Sequence, residues 1–210
     1  MQLHDFWGVF MPKRTNHGPR AWFAATLAVA ALLGCGGDTI DITCSEYYAE
    51  TPSQLSEKAP GILHDPKTDL LWFRCNLGQT YVDGACVGKP SNKNFDSTVA
   101  ELEQLTQVDS SDNSAKKRRA ARGTETLDFY AISWRLPTED EYDTITDVPC
   151  HSPKVDVSSF IDVKTDTYYW SSSQGRNDTY ACATRLQDGL RTCQTKKTSV
   201  NPALLVASAP

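Results

Sequence analysis

The chain contains no apolar run of the roughly 18–20 residues that a membrane-spanning helix requires, no Cys-x-x-Cys pair and no internal repeat. The first absence excludes a permanent transmembrane helix. The second, in a chain with only four histidines, argues against a zinc cluster, and no other metal or cofactor is expected. Positive charge is also short: 21 Lys and Arg stand against 26 Asp and Glu, with a pI near 5.3. A dedicated nucleic-acid binder needs a basic face to displace counterions, so nucleic acid is not an expected partner. What is present is 210 residues, 40% of them hydrophobic and 10% aromatic. That is enough apolar material for one ordinary folded domain and too much for a wholly disordered chain.

The N-terminal stretch reads as an address. Lys13, Arg14 and Arg20 precede an uncharged Ala- and Leu-rich segment, Ala21 to Gly34, the basic and apolar regions of a secretory signal. The segment closes Leu32-Leu33-Gly34-Cys35 and resembles a bacterial lipoprotein signal. That resemblance implies cleavage before Cys35, lipidation of its thiol and anchoring by several acyl chains. Gly36 follows Cys35 where an Asp would favour inner-membrane retention, so an outer-membrane location is expected, on its surface or its periplasmic face. Met1 to Phe10 fit no region of the signal, which leaves Met11 as an alternative start. Without residues 1–34 the chain carries 18 basic and 25 acidic residues, a net charge of −7.

Six further cysteines follow: Cys44, Cys75, Cys86, Cys150, Cys182 and Cys193. An even number in an exported chain reads as disulfides. Cys75 and Cys86 bracket a short segment containing Gly78, Asp83 and Gly84 and are expected to pair. The other four allow three connectivities, and nothing in their spacing chooses among them.

Residues 35–58 are polar and poor in large aliphatics and read as a tether, with Cys44 pinning it to the domain. Gly61 to His64 and Leu70 to Phe73 read as a hairpin across Asp65-Pro66-Lys67-Thr68, a type I turn by residue preference. Phe95, Val99, Leu102 and Leu105 have helical spacing. Val108 to Glu125 is polar and reads as an exposed loop. Thr138 to Glu141 has the form of a capping box opening a helix that Pro149 ends, with Tyr142 and Ile145 facing the core. Tyr168 to Ser173 reads as a strand, Tyr180 to Leu186 and Leu190 to Thr195 as a hairpin around Asp188-Gly189, and Leu204 to Val206 as a final short strand. The expected class is α+β: an antiparallel sheet flanked by two helices and stabilised by disulfides.

Four blocks in order resemble the Legionella collagen-like protein C-terminal domain family over residues 59–208. They are Asp65-Pro66-Lys67-Thr68-Asp69-Leu70-Leu71-Trp72; Arg74-Cys75-Asn76-Leu77-Gly78-Gln79-Thr80 through Cys86-Val87-Gly88; Trp134-Arg135-Leu136-Pro137-Thr138; and Tyr169-Trp170-Ser171-Ser172-Ser173. Asp188-Gly189 fits the family's last hairpin. The resemblance implies a C-type-lectin-like fold and a bacterial surface or secreted protein acting in adhesion, with sulfated glycosaminoglycans as a ligand known in the family. This chain departs in ending Ala203-Leu204-Leu205-Val206-Ala207, where the family commonly has a Cys-containing strand. The segment Val108 to Thr126 also looks longer than usual for the family.

Chemistry-bearing residues are few. Trp72, Trp134 and Trp170 read as core, and Arg135 as a partner for carbonyls or a carboxylate. Ser171 to Ser173 lack a motif linking them to His64 or His151, so no nucleophile–base pair is expected. The calcium-lectin motifs Glu-Pro-Asn, Gln-Pro-Asp and Trp-Asn-Asp are absent. A relative of formylglycine-generating enzymes would need reactive cysteines, whereas these are accounted for as bridges. One stretch could contact a ligand: Lys116, Lys117, Arg118, Arg119 and Arg122, five cations within seven residues. Clustered guanidinium groups suit sulfate oxygens and release counterions from a polyanion. The expectation is a non-enzymatic, lipid-anchored binding module for a sulfated glycan, another polyanion or a surface protein. The alternative is a structural envelope lipoprotein with a periplasmic protein partner.

Overall fold

A computed structural model describes residues 42–111 and 127–210, with side chains left aside at 106–111. Its class is α+β, with antiparallel sheets, short helices and three disulfides. The centre is a four-stranded sheet in the order β1 (Ser56–Ala59), β2 (Ile62–Asp65), β3 (Leu70–Phe73), β9 (Leu205–Ser208). A two-stranded ribbon, β4 (Thr80–Val82) with β5 (Ala85–Val87), and a three-stranded sheet, β6 (Tyr168–Gln174), β7 (Tyr180–Arg185), β8 (Leu190–Lys196), complete the strands.

Strand β3 explains why the centre holds. All four of its residues are buried, which is what a strand covered on both faces requires. Side chains alternate across a strand, so Leu71 and Phe73 enter one core with Ile62, Leu77, Trp134, Trp170 and Leu205. Leu70 and Trp72 enter a second core on the opposite face, with Leu63, Tyr142, Phe160, Tyr169 and Val206. Trp72 and Trp170 have no exposed surface at all. Truncating one such ring to Ala costs about 3–5 kcal/mol in a packed core.

The turn between β2 and β3 follows from its residues. Asp65 Oδ1 accepts from the Lys67 amide at 2.9 Å and Oδ2 from the Thr68 hydroxyl at 2.6 Å, while Asp69 takes a left-handed φ of 57° to enter β3. Asp83 and Gly84, both with positive φ (46° and 87°), make the two-residue loop between β4 and β5. Gly61 is required where it stands: its φ is +76°, and a Cβ there would lie 2.6 Å from Tyr81.

Three helices are present among the described residues, not two: α1 (Cys44–Glu50), α2 (Phe95–Ser111) and α3 (Glu139–Thr146), with a 3-10 turn at Phe129–Ala131. Helix α1 corrects the reading of 35–58 as a tether, because from Thr43 onward this stretch is part of the folded body. Thr43 and Glu46 form a full capping box. Cys44 bonds to Cys150, and its amide donates to the His151 carbonyl at 2.9 Å. The edge strand β1 follows. Local capping and a long-range covalent bond outweigh the scarcity of apolar residues there. Helix α2 runs to Ser111, so residues 108–111 of the expected loop are helical, and 112–125 lie outside the described residues. Cys75 is joined to Cys86, and Cys182 to Cys193.

Candidate recognition surface

The blocks that carry the family resemblance are engaged in building the fold. Trp134 donates its indole N–H to the Phe129 carbonyl at 2.8 Å and packs on the rings of Phe73 and Phe129. Arg135 bridges to Val206 through paired backbone bonds of 2.9 Å, which seats it along the outer side of β9. Its guanidinium grips Glu141 with two bonds, 2.7 and 2.5 Å. Glu141 in turn accepts from the Thr138 amide at 2.8 Å, closing the capping box of α3. Burial pushes the Glu141 carboxyl up, but the Arg135 guanidinium and the Thr138 donors outweigh it and hold the group below the ordinary carboxylate value.

The second block works the same way. Trp170 donates its indole N–H to the Lys93 carbonyl at 2.9 Å, and the Tyr169 hydroxyl accepts from the Lys164 amide at 2.9 Å. Ser171 Oγ accepts from the Ser173 amide, the Ser172 amide donates to the Pro137 carbonyl, and Ser173 Oγ accepts from the Glu139 amide. The serines thus brace the start of α3. The His64 ring is paired with Asp69 at 2.9 Å, on the β2–β3 hairpin.

A polar network lies where the sequence shows only surface-type residues. Asn76 and Gln79 are 1% and 6% exposed. Gln79 Oε1 accepts from both the amide and the side chain of Asn76 (3.0 and 2.8 Å), and its Nε2 donates to Asp162 Oδ2 at 2.5 Å. Asn76 also donates to the Asp162 carbonyl at 3.0 Å. Arg74 donates to the carbonyls of Ser158 and Ser159, both at 3.0 Å, and lies over the Tyr81 ring. The ribbon β4–β5 is thereby tied to the loop around residues 156–162. The contacts span more than 80 residues, so no local pattern announced them.

Among the described residues, two clefts lie near these blocks. One, of about 280 Å³, lies between the end of β3, helix α2 and the 3-10 turn. Phe73, Leu77 and Phe129 form its apolar floor, Gln79 and Gln104 supply amides, and Tyr130 stands at its rim, half exposed. The other, of about 180 Å³, lies under α1 between Tyr47, Tyr48, Asp65, Lys67 and Asp156. There the Tyr48 hydroxyl donates to the Lys154 carbonyl at 3.3 Å, and burial, reinforced by the Asp156 charge, pushes its phenol up to about 12. Cys35 and the cations Lys116, Lys117, Arg118, Arg119 and Arg122 lie outside the described residues.

Among known proteins, no curated protein and no solved structure matches the chain. The model of one protein family does, along residues 61–207, from the glycine just before β2 to the penultimate residue of β9. That span contains all four motif blocks, β2, β3 and most of β9 of the central sheet, and every residue lining the first cleft, but not the α1 side of the second. The chain belongs to the Lcl C-terminal domain family.

Proposed function

We propose that this protein is a non-enzymatic binding module with a C-type-lectin-like fold, anchored by lipid at Cys35 in the outer membrane of a bacterial envelope. Its ligand is a sulfated glycan or another polyanion, held by Lys116, Lys117, Arg118, Arg119 and Arg122. Family membership over residues 61–207 supports the reading. The observation that carries it is how the motif side chains are used. The aromatic, arginine and serine groups that would serve an active site are bonded to one another and to the backbone, as described above. Binding is then left to groups outside these blocks, and the densest charge in the sequence is the basic run.

Heparin retention tests it. The soluble domain is expected to be held at low salt and released as salt rises, because retention depends on counterion release. Replacing the five cations with Ala should abolish retention; unchanged retention would overturn the ligand assignment. Protease shaving of intact cells tests the outward orientation. A chain cut only after the outer membrane is opened would favour a periplasmic structural role with a protein partner.

A further inference from the structure

Among the described residues, the disulfide between Cys182 and Cys193 has a carboxylate neighbour that the other two lack. Cys182, on β7, is fully buried, whereas Cys193 lies half-buried on β8, the outer strand of its sheet. Glu139, the first residue of α3, places a carboxylate oxygen 3.1 Å from Cys193 Sγ. One of its oxygens and the two sulfurs all lie within 4.8 Å of one another. The other side of the bridge faces an acceptor too, with Cys182 Sγ 3.1 Å from the Gln174 carbonyl oxygen. A disulfide sulfur carries no proton, so in the oxidised protein neither contact is a hydrogen bond. Glu139 Oε1 is itself buried without a partner.

These acceptors suit the reduced pair. Two thiols would find the Gln174 carbonyl and the Glu139 carboxyl group already in place, and whatever stabilises the dithiol makes a disulfide easier to reduce. The other bridges differ. Cys86 Sγ faces the carbonyls of Arg74 and Ile161, at 3.9 and 3.4 Å, and Cys44 and Cys150 are both buried.

We propose that Cys182–Cys193 is a thiol–disulfide exchange site, attacked at Cys193 Sγ, with the Glu139 carboxyl delivering a proton to the departing Cys182 sulfur. This stands apart from the polyanion reading and does not depend on it. In the first step an external dithiol, as thiolate, bonds to Cys193 Sγ. The Cys182–Cys193 bond breaks and its electron pair leaves on Cys182. The Glu139 carboxylic acid passes its proton to that buried sulfur and becomes a carboxylate. The second thiol of the reductant, as thiolate, then displaces Cys193, which takes a proton from solvent. The reductant closes to a cyclic disulfide, having delivered two electrons to the protein. Burial favours the acid form of Glu139, and Asp143 and Asp140 on α3 act in the same direction. Arg191 on β8 opposes them, but its guanidinium is shared with Asp143 at 2.9 Å and Asp140 at 3.3 Å.

The test treats the oxidised full chain with dithiothreitol, quenches it over time with an alkylating reagent and maps the labelled cysteines by peptide mass. Cys182 and Cys193 are expected to label about tenfold or more faster than the cysteines of the other two bridges. In Glu139→Gln, whose amide cannot supply the proton, opening should slow by about tenfold, the low end for a lost general acid. With rates normalised to reductant thiolate, the wild-type pH profile should show an inflection that this variant lacks, while labelling of Cys75 and Cys86 stays the same. If another bridge opens first or at the same rate, or Glu139→Gln keeps both rate and profile, the proposal is wrong. Should the variant not fold, the order of opening and the pH profile of the wild-type chain decide alone.

Discussion

The molecule closes two hairpins with disulfides of the same sequence separation, 11 residues, and surrounds them differently. Around Cys75–Cys86 the neighbouring polar groups are amides, carbonyls and an arginine already bound to carbonyls, and they knit β4–β5 to the loop holding Asp162. Around Cys182–Cys193 one neighbour is a carboxyl group with an unpartnered oxygen. The difference teaches that identical spacing does not assign identical roles. Loop length sets how much a bridge restrains the unfolded chain, while the side chains packed on it set what the bridge can do.

The largest effect should come from the first hairpin. Replacing Cys75 and Cys86 by Ala removes about 3 kcal/mol of unfolded-state restraint. It also loosens the loop that holds Asn76 and Gln79, so the loss in urea unfolding should exceed that figure. The same replacement at Cys182 and Cys193 should cost about 3 kcal/mol or less, because the β7–β8 register is held independently by backbone pairing. A larger loss at the second hairpin would break the comparison. Next in size, Gln79→Ala should destabilise by about 2–3 kcal/mol, since it leaves the Asn76 amide and the Asp162 carboxylate without their partner. Asp162→Ala, which removes the other end, should add little more in the double variant, because both act through one network.

The smallest effect concerns the two carboxyls in the first turn of α3. Glu141 is held below the ordinary carboxylate value, so its stabilisation is full above that value and lost as pH falls through the folded one. Glu139 is raised by burial, so its contribution has the opposite sign, present at low pH and lost as pH rises through its folded value. Unfolding measured from about pH 3 to 7 should therefore show a shallower acid loss in Glu141→Gln than in the wild type. In Glu139→Gln the decline on the neutral side should disappear. Equal curves for the two variants would show that Arg135 does not distinguish them.

Much of the local structure was legible because its causes are local. The Asp65 turn, the α3 capping box, the α2 spacing of Phe95, Val99 and Leu102 and the Asp188-Gly189 hairpin each depend on residues a few positions apart. Helix α1 was missed because apolar periodicity, the main signal for a helix, is nearly absent from Cys44–Glu50; the cap at Thr43 and Glu46 was the signal that could have found it. Asn76, Gln79 and Arg74 were missed because their partners lie beyond position 155, and polar residues beside a cysteine loop look like surface. Glu139 read only as a position inside the capping box that opens a helix, and nothing near it in sequence points to Cys193.

The sequence by itself determined the α+β order of elements, the hairpins and helix caps, because hydrogen bonds and apolar periods within a turn or two need no distant partner. Only the tertiary structure decided which of the remaining cysteines pair, that β9 from the chain's end lies beside β3, and that Leu71 and Trp72 serve opposite cores. Those outcomes follow from bringing together segments up to about 140 residues apart, where burial on both faces of one sheet leaves a single arrangement that fills both cores.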